Sequence, residues 1–410
     1  MMIGIYAKLA WRNVLRNKRR TLIAGAAIGI GLASLIFVDA LMLGMEANMI
    51  DSATSSFMGE GQIHHEEYRK AFDAEKTTLH LSEVTNRLDT ENVVEHYTER
   101  VMSFGMLSSP SNASSVQMIG VNPSTERNLS ETDEVIIEGD YFKSDNSHDI
   151  LIGKKLAELL EVELGDRVVL TTAQAHTGDL AQEMFRISGI FYFNVRDMDS
   201  YFAFIRINRA QKMLGLPGEV HQIALKFTKD NIGRNAEHPF WSRYAKDGNE
   251  AVGWAILMPQ LENVFDMTEV SKWVVGLILF AVVALVIVNS LFMSLYERIF
   301  EFGVLRAVGT RPLAMGRLVV FESAALAVIS IVMGMLLGFF LLYIVSQTGI
   351  NYSGIEYEGV TFRKLLYPVV EVRQFVVYPL FAFLFTLLIA LYPATYAARL
   401  IPAKAMRKSF

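Results

Sequence analysis

The chain has 410 residues, of which 52% are hydrophobic, a formal net charge of −5 and no cysteine. The small negative charge argues against a nucleic-acid-binding protein, and a chain without thiols can form neither a disulfide framework nor a thiolate metal site. The apolar residues are concentrated in four blocks, which indicates a membrane protein with more than one domain.

The chain begins with a basic segment and the first apolar block. Residues 1–20 contain six Lys or Arg residues and no acidic residue. Residues 21–44 exceed the ~20 apolar residues that a membrane helix needs, and they predict transmembrane helix 1. This block is longer than the apolar core of a cleaved signal peptide, so we expect it to remain as an anchor.

Asp39 lies in the last third of this first span. An ionisable side chain there often faces a cavity or a partner, although one close to the interface can also be simply hydrated. The apolar residues Leu32, Leu35 and Ile36 offer the wall that an acyl chain needs. We therefore expect the first and second spans to line a substrate cavity with Asp39 near its mouth; the alternative is that Asp39 only marks the interface.

Residues 45–272 predict a folded domain of mixed helices and strands. Short helical patterns at 154–161 and 208–214 alternate with β-rich runs, an α+β pattern. The Ser- and Asn-rich stretch 102–115 is predicted to be a surface loop, and the polar stretch 228–250 an exposed helix with loops. The β-rich runs are 116–121, 168–172, 185–193, 201–207 and 222–227.

The segments 45–58 and 256–272 flank this domain and carry apolar residues at helical spacing. They would either extend the neighbouring spans as stalk segments or serve as ordinary connectors. Inside the domain, His64, His65, Glu66 and Glu67 stand in a row. Adjacent residues of a strand point to opposite faces and make a poor metal site, so we expect a solvated edge strand and no metal.

Three further apolar blocks follow the domain. Residues 273–295, 313–345 and 375–398 are each long enough to cross a bilayer, and in lipid they must be helical because the backbone has to satisfy its own hydrogen bonds. Residues 346–374 then form an outer loop. The predicted fold class is a multi-pass α-helical membrane protein with four transmembrane helices and a large α+β extracytoplasmic domain between helices 1 and 2.

Basic residues predict the orientation of the four spans. They are concentrated in residues 1–20, in the segment 296–312 between spans two and three, and in the tail 399–410. Four spans place all three segments on one side, which the positive-inside rule assigns to the cytoplasm. Both termini are therefore predicted to be cytoplasmic and residues 45–272 extracytoplasmic, or periplasmic.

Small and polar residues within the spans predict helix packing. Gly25 and Gly29 in span one, and Gly334 and Gly338 in span three, each repeat at a spacing of four, which places them on one helix face and permits close contact. Glycine is also simply common in membrane helices, so both interpretations stay open. Asn289 in span two is expected to hydrogen-bond a neighbouring helix.

Motifs for enzyme chemistry are absent from the sequence. The chain has no G-x-x-x-x-G-K-[ST] phosphate loop, no H-E-x-x-H motif and no nucleophile elbow. We therefore expect that the chain is not an enzyme, does not hydrolyse ATP itself and holds no cofactor.

The segment 289–312 reads NSLFMSLYERIFEFGVLRAVGTRP and resembles the coupling segment of FtsX/MacB-type ABC transporter permeases. The N-terminal AWRNVLRNKRRT looks like the amphipathic entry helix of that family, and ILIGKKLAELLEVELGDRVVL resembles its extracytoplasmic core domain. The resemblance covers nearly the whole chain and is closest to lipoprotein-releasing permeases of the LolC/LolE type. The residues that match the coupling motif are Glu297, Arg298, Glu301, Phe302, Gly303, Leu305, Arg306, Ala307 and Gly309.

The resemblance implies a permease subunit of the bacterial inner membrane that binds no nucleic acid. Its partners would be two copies of an ABC ATPase, which bind ATP and Mg, a second permease chain in a homo- or heterodimer, and membrane lipid. The expected function is the extraction or release of lipoproteins; the alternatives are mechanical regulation of a partner such as a wall hydrolase, and MacB-like efflux of peptides or drugs.

Two segments would contact partners of such a permease. The charged and apolar residues of 296–312 can insert into a cleft of the ATPase while ion pairs fix the register. The loop that recruits a periplasmic lipoprotein carrier should fall near 173–184. This stretch is short here and lacks an obvious proline hook, so a carrier partner stays an open alternative.

Overall fold

The computed structural model describes residues 2–16, 18–142, 148–229, 232–352, 356–357, 360–361 and 365–401. In chain order the helices are α1 (Met2–Arg16), α2 (Lys18–Ala53), α3 (Tyr68–Ala71), α4 (Leu81–Leu88), α5 (Pro123–Glu126), α6 (Lys154–Leu160), α7 (Arg196–Tyr201), α8 (Ile207–Leu214), α9 (Pro239–Tyr244), α10 (Trp254–Leu257), α11 (Pro259–Glu297), α12 (Ile299–Ala307), α13 (Pro312–Thr348) and α14 (Gln374–Ala398).

The strands follow the same order along the chain. They are β1 (Gly61–His65), β2 (Val94–Ser108), β3 (Ala113–Val121), β4 (Ile136–Gly139), β5 (Asp149–Gly153), β6 (Arg167–Ala173), β7 (Leu180–Phe191), β8 (Phe202–Arg206), β9 (Gln222–Phe227), β10 (Asn249–Gly253), β11 (Glu356–Tyr357) and β12 (Val360–Thr361).

The chain divides into two compact units. The membrane unit comprises Met1–Glu46, Phe265–Asn351 and Leu365–Phe410, and the sheet unit comprises Ala47–Val264 and Tyr352–Lys364. Helices α2, α11, α13 and α14 are each long and apolar enough to cross a membrane, and the strands β1 to β10 lie between the first and second of them. The predicted fold class is therefore confirmed.

The long helices begin and end where local chemistry allows it. Pro312 occupies the first turn of α13, where its missing N–H costs no hydrogen bond, and Gly349 ends that helix with a φ of 64°, which favours glycine. Helix α2 continues beyond its apolar block as the π-helical turn Thr54–Met58. Helices α2 and α11 thus include the amphipathic segments that flank the sheet unit in the sequence.

Six strands of the sheet unit pair in a closed ring, in the order β2, β3, β8, β5, β7, β6 and back to β2. The N-terminal half of β2 instead pairs with β9, which continues the sheet to β1 and β10. At Gly105 a Cβ atom would lie 2.6 Å from the carbonyl oxygen of Thr171, so glycine lets β6 approach β2 where the ring closes. Apolar side chains of these strands and of α6 and α8 form the core.

A buried ion pair connects β2 to α5. Arg100 donates from Nε to Glu126 Oε2 at 3.0 Å and from Nη2 to Glu126 Oε1 at 2.6 Å, and both side chains are fully buried. Ser130 donates a third hydrogen bond to Glu126 Oε1 at 2.7 Å. The guanidinium of Arg100 lies 3.9 Å from the ring centroid of Phe57, a cation–π contact.

Two predictions for the sheet unit were wrong. The stretch 102–115 is not a surface loop, because it forms most of the β2–β3 hairpin, in which Ser103 pairs with Met118 and only residues 109–112 form the turn. The helix within 228–250 is not exposed, since Phe240 and Trp241 of α9 are buried in the core.

The edge-strand prediction for His64 was also wrong. Strand β1 lies between β9 and β10, and the His64 side chain is buried. Its Nδ1 lies 3.0 Å from the carbonyl oxygen of His65, and its Nε2 lies 3.7 Å from Glu250 Oε2. Burial lowers the pKa of His64, so the ring is neutral at pH 7 and belongs to the packing of the sheet.

Candidate functional site

Helix α12 is anchored to the membrane unit through one aromatic side chain. Phe302 is buried among residues from the end of α11, the start of α13 and the end of α14, including Leu295, Val319 and Ala397. Gly303 is buried beside it. Contrary to the sequence-based expectation, Phe302 therefore does not face outward to enter a cleft of another protein.

A polar network ties α12 to two other helices. Arg298, which precedes α12, donates from Nε to Glu301 Oε2 at 2.8 Å and from Nη1 to Glu322 Oε1 of α13 at 2.6 Å. Asn13 of α1 donates to the same Glu322 oxygen at 2.6 Å. Arg16 of α1 donates to Glu301 Oε1 at 3.2 Å. We call these five residues the polar network.

The members of the polar network differ sharply in their exposure. The side chains of Arg298 and Glu322 are 12% and 7% exposed, whereas that of Glu301 is 46% exposed. Hydrogen bonding to Arg298 lowers the pKa of Glu301, with a smaller contribution from Arg16. The Arg298–Glu322 pair is therefore the buried centre of the network, and Glu301 lies at its solvent-exposed edge.

The exposed side of α12 is apolar. Phe300, Val304, Leu305 and Val308 are all exposed, and we call them the docking face. Arg306 is half-buried on this helix, and its Nη1 donates to the carbonyl oxygen of Thr310 at 2.9 Å.

The segment around α12 has a defined start and end. Glu297 is exposed at the end of α11, where the chain turns into the coupling segment. Gly309 has a φ of 98°, a conformation that favours glycine, and it ends the segment before α13 begins. Gly309 therefore sets the turn between the docking face and the third span.

The two glycine pairs of the sequence meet in the structure. A Cβ atom on Gly334 would lie 2.7 Å from the carbonyl oxygen of Gly29, and one on Gly29 would lie 3.1 Å from the backbone nitrogen of Gly334. A Cβ atom on Gly25 would contact Met333 Sδ at 3.5 Å, and one on Gly338 would contact Ala33 Cα at 3.5 Å. Helices α2 and α13 thus approach each other most closely at Gly29 and Gly334.

Most of the residues expected to line a substrate cavity are packed against side chains of neighbouring helices. Leu32 and Ile36 are buried against Leu342 and Ala382, so they do not face open space. Leu35 lines a crevice between α2, α11 and α14 with a free volume of about 10 Å³, room for roughly one water molecule. Around Leu35, the predicted substrate cavity is therefore reduced to this small crevice in the described part of the chain.

Asp39 is not merely hydrated and does not face a cavity, because its carboxylate contacts side chains of two other helices. Its Oδ2 accepts a hydrogen bond from Gln374 Nε2 of α14 at 2.9 Å, and its Oδ1 lies 3.8 Å from Lys272 Nζ of α11. The carboxylate therefore joins three helices of the membrane unit, which offsets much of the cost of placing it there.

The prediction for Asn289 differs from the structure. Its side chain is exposed on α11 and has no hydrogen-bond partner on another helix within the described part of the chain. Asn13 and Glu322, which do hydrogen-bond between helices, were missed by sequence reasoning. An acidic residue inside the apolar block 313–345 was the available signal, because such residues rarely occur unpaired in a membrane helix.

Comparison with known proteins identifies two regions. The family model described as MacB-like periplasmic core domain matches residues 21–234, more than half of the chain, and the one described as FtsX-like permease C-terminal matches residues 273–402. Among solved structures, the periplasmic region of MacB from Actinobacillus actinomycetemcomitans is 14% identical with a TM-score of 0.35, covering 50% of this chain and 92% of that one.

Curated relatives are 21–24% identical to this chain over long alignments. The lipoprotein-releasing system transmembrane protein LolC of Xylella fastidiosa (strain 9a5c) is 24% identical over 63% of this chain, and the alignment spans only 65% of that relative. The LolC protein of Haemophilus influenzae is 24% identical over 94% of this chain and 93% of its own length. The LolE protein of the same organism is 21% identical over 97% of this chain and 98% of its own length.

Proposed function

The chain belongs to the FtsX/MacB family of ABC transporter permeases, an assignment from which we propose that it drives the extraction or release of lipoproteins. Permeases of this family work with ATPase and permease partners in the inner membrane. In the proposed complex, two copies of a partner ATPase bind ATP and Mg, and a second permease chain completes the membrane part.

The names of the curated relatives support the lipoprotein part of this proposal, and the polar network supports the coupling part. An ATPase that binds the docking face moves α12, and α12 cannot move alone because Arg298 and Glu301 tie it to α13 and α1. The motion therefore passes to the third span through Glu322. The close contact at Gly29 and Gly334 then passes it to α2, which leads into the sheet unit.

The orientation of the chain is part of the proposal. Basic residues at α1, α12 and the end of α14 support a cytoplasmic position for both termini and for the docking face. The chain has no cysteine, so single cysteines can report the topology. An impermeant thiol reagent should label Ser124→Cys in the sheet unit but not Val308→Cys in intact cells with a permeabilised outer membrane; the opposite pattern would reverse the orientation.

Introducing a charge into the docking face should weaken ATPase binding. We expect Val308→Glu, at a side chain that is 83% exposed, to reduce co-purification of the ATPase and its stimulated rate about thirtyfold, because an interface hot spot contributes about 2 kcal/mol. Val372→Glu is the matched control, since Val372 is 81% exposed in the segment between α13 and α14. Equal losses in both variants, or in neither, would exclude α12 as the docking element.

The packed first span favours a second candidate function, mechanical regulation of an extracytoplasmic partner without transport. Leu32 and Ile36 are buried, and the crevice beside Leu35 is too small for an acyl chain. The β6–β7 turn, residues 174–179, is short, which also gives little surface for a lipoprotein carrier. Both candidates use the same coupling elements, and they differ in whether a lipoprotein passes along α2.

A photo-crosslinking residue distinguishes these two functions. With a crosslinker in place of Leu35, we expect adducts with a lipoprotein that disappear when ATP is added, because ATP-driven motion releases the substrate. The control position is Leu388, which is exposed on α14 away from the crevice and should give adducts with bulk lipid only. Bulk-lipid adducts at both positions would favour mechanical regulation.

A further inference from the structure

A groove between the start of α13 and the end of α14 is not used by the coupling elements. Its volume is about 260 Å³, close to the lower end of small-molecule pockets at about 300 Å³. Arg317 is the one charged side chain among its lining residues. The others are apolar or small, and they are Leu313, Gly316, Val320, Phe321, Leu391, Ala394, Thr395 and Ala398.

Small residues explain why the groove has a closed floor and an open side. A Cβ atom on Gly316 would lie 3.3 Å from the carbonyl oxygen of Ala394 and 3.8 Å from Ala398 Cβ, so the two helix backbones are nearly in contact there. The walls are formed by larger side chains, of which Leu313 and Leu391 are exposed. Since both helices are membrane spans, this open side faces the region that lipid occupies.

The charge at the groove is unbalanced. Arg317 is exposed and forms neither a hydrogen bond nor an ion pair within the described part of the chain. Arg311 and Arg399 are exposed at the ends of the same two helices. Glu322, an acidic residue of the same helix as Arg317, is already occupied by Arg298 and Asn13.

We propose that this groove binds an anionic phospholipid, with an acyl chain against Val320 and Leu391 and the phosphate at Arg317. An apolar channel with a basic rim between membrane helices is complementary to an amphiphile with a negative head group. A zwitterionic lipid would fill the channel equally well but would gain less from Arg317. The site lies outside the proposed substrate path and needs neither the ATPase nor a lipoprotein.

Lipid retention in the purified full-length chain tests the proposal. The protein is equilibrated in micelles with equal amounts of phosphatidylglycerol and phosphatidylcholine, and native mass spectrometry counts the lipids that remain bound. We expect about fivefold more phosphatidylglycerol than phosphatidylcholine on the wild type, falling to near parity in Arg317→Gln, because one arginine near a head group contributes about that factor. Arg317→Lys should keep the preference, which separates charge from folding.

Two further variants make the test specific to the groove. Arg19→Gln removes an exposed charge from α2 and should leave the preference unchanged. Thr395→Phe fills the groove without changing its charge and should reduce the retention of both lipids. Equal retention of the two lipids by the wild type, equal losses in Arg317→Gln and Arg19→Gln, or unchanged retention in Thr395→Phe would each overturn the proposal.

Discussion

Replacing Glu322 by glutamine is expected to detach α12 from the third span and to abolish most ATPase stimulation. Glutamine has almost the same shape, but it leaves the Arg298 guanidinium, which is 12% exposed, without its buried counter-charge. Removing one member of a buried ion pair costs about 3–5 kcal/mol. We expect a lower thermal unfolding temperature of the full-length chain and a loss of stimulation by more than about tenfold.

Two comparison variants separate coupling from general stability. Glu301→Gln should have a small effect, below about 1 kcal/mol, since Glu301 is 46% exposed and its ion pairs are screened by water. The double variant Arg298→Met with Glu322→Leu should recover much of the stability, because no buried charge is left unpaired, yet it should not recover stimulation. A Glu322→Gln chain that unfolds and couples like the wild type would refute the role of the network.

Arg100→Met should produce the largest loss of stability in the sheet unit. Glu126 is fully buried, and after the substitution only the Ser130 hydroxyl, among the described side chains, would still hydrogen-bond to its carboxylate. An uncompensated buried carboxylate again costs about 3–5 kcal/mol, and the contact with Phe57 is lost as well. Limited proteolysis across a urea gradient measures this, because cleavage within β2 requires the sheet unit to open.

An exposed ion pair in the same unit provides the control. Arg127 follows Glu126 in the sequence and forms an ion pair with Asp133 at 3.2 Å. Its side chain is 54% exposed. Arg127→Met should change the free energy of unfolding by less than about 1 kcal/mol. If the two substitutions had equal effects, burial of the Arg100–Glu126 pair would not be the source of its contribution.

The membrane helices could be predicted from the sequence because lipid permits few backbone conformations other than a helix. Each apolar block was long enough to span a bilayer, and the structure contains a helix over each of them. The strand β9 was predicted with its observed limits, since its apolar run is bounded by turn residues on both sides. Local patterns of this kind depend on nearest neighbours in the chain.

Contacts between distant residues were beyond the sequence. Asn13 and Glu322 are separated by 309 positions, and no local pattern indicates that they share a hydrogen bond. The stretch 102–115 was misjudged for a related reason: its serines suggest a loop locally, but pairing of β2 with β3 and β6 stabilises a strand there. Likewise, the sequence shows that Leu32 and Ile36 are apolar residues of a membrane helix, but it does not show which helix packs against them.

The pairing of β1 sets an order of events for synthesis. This strand follows directly from α2, yet its neighbours in the sheet are β9 and β10, and Gly61 pairs with Gly253 at the far end of the unit. Contacts between such distant positions form late and slow the folding of a domain. The nascent chain must therefore keep β1 unpaired until β9 has emerged, and the second edge of β1 stays open until β10 emerges, only a few residues before α11. During translation, the second hydrophobic span leaves the ribosome while the preceding domain is still incomplete.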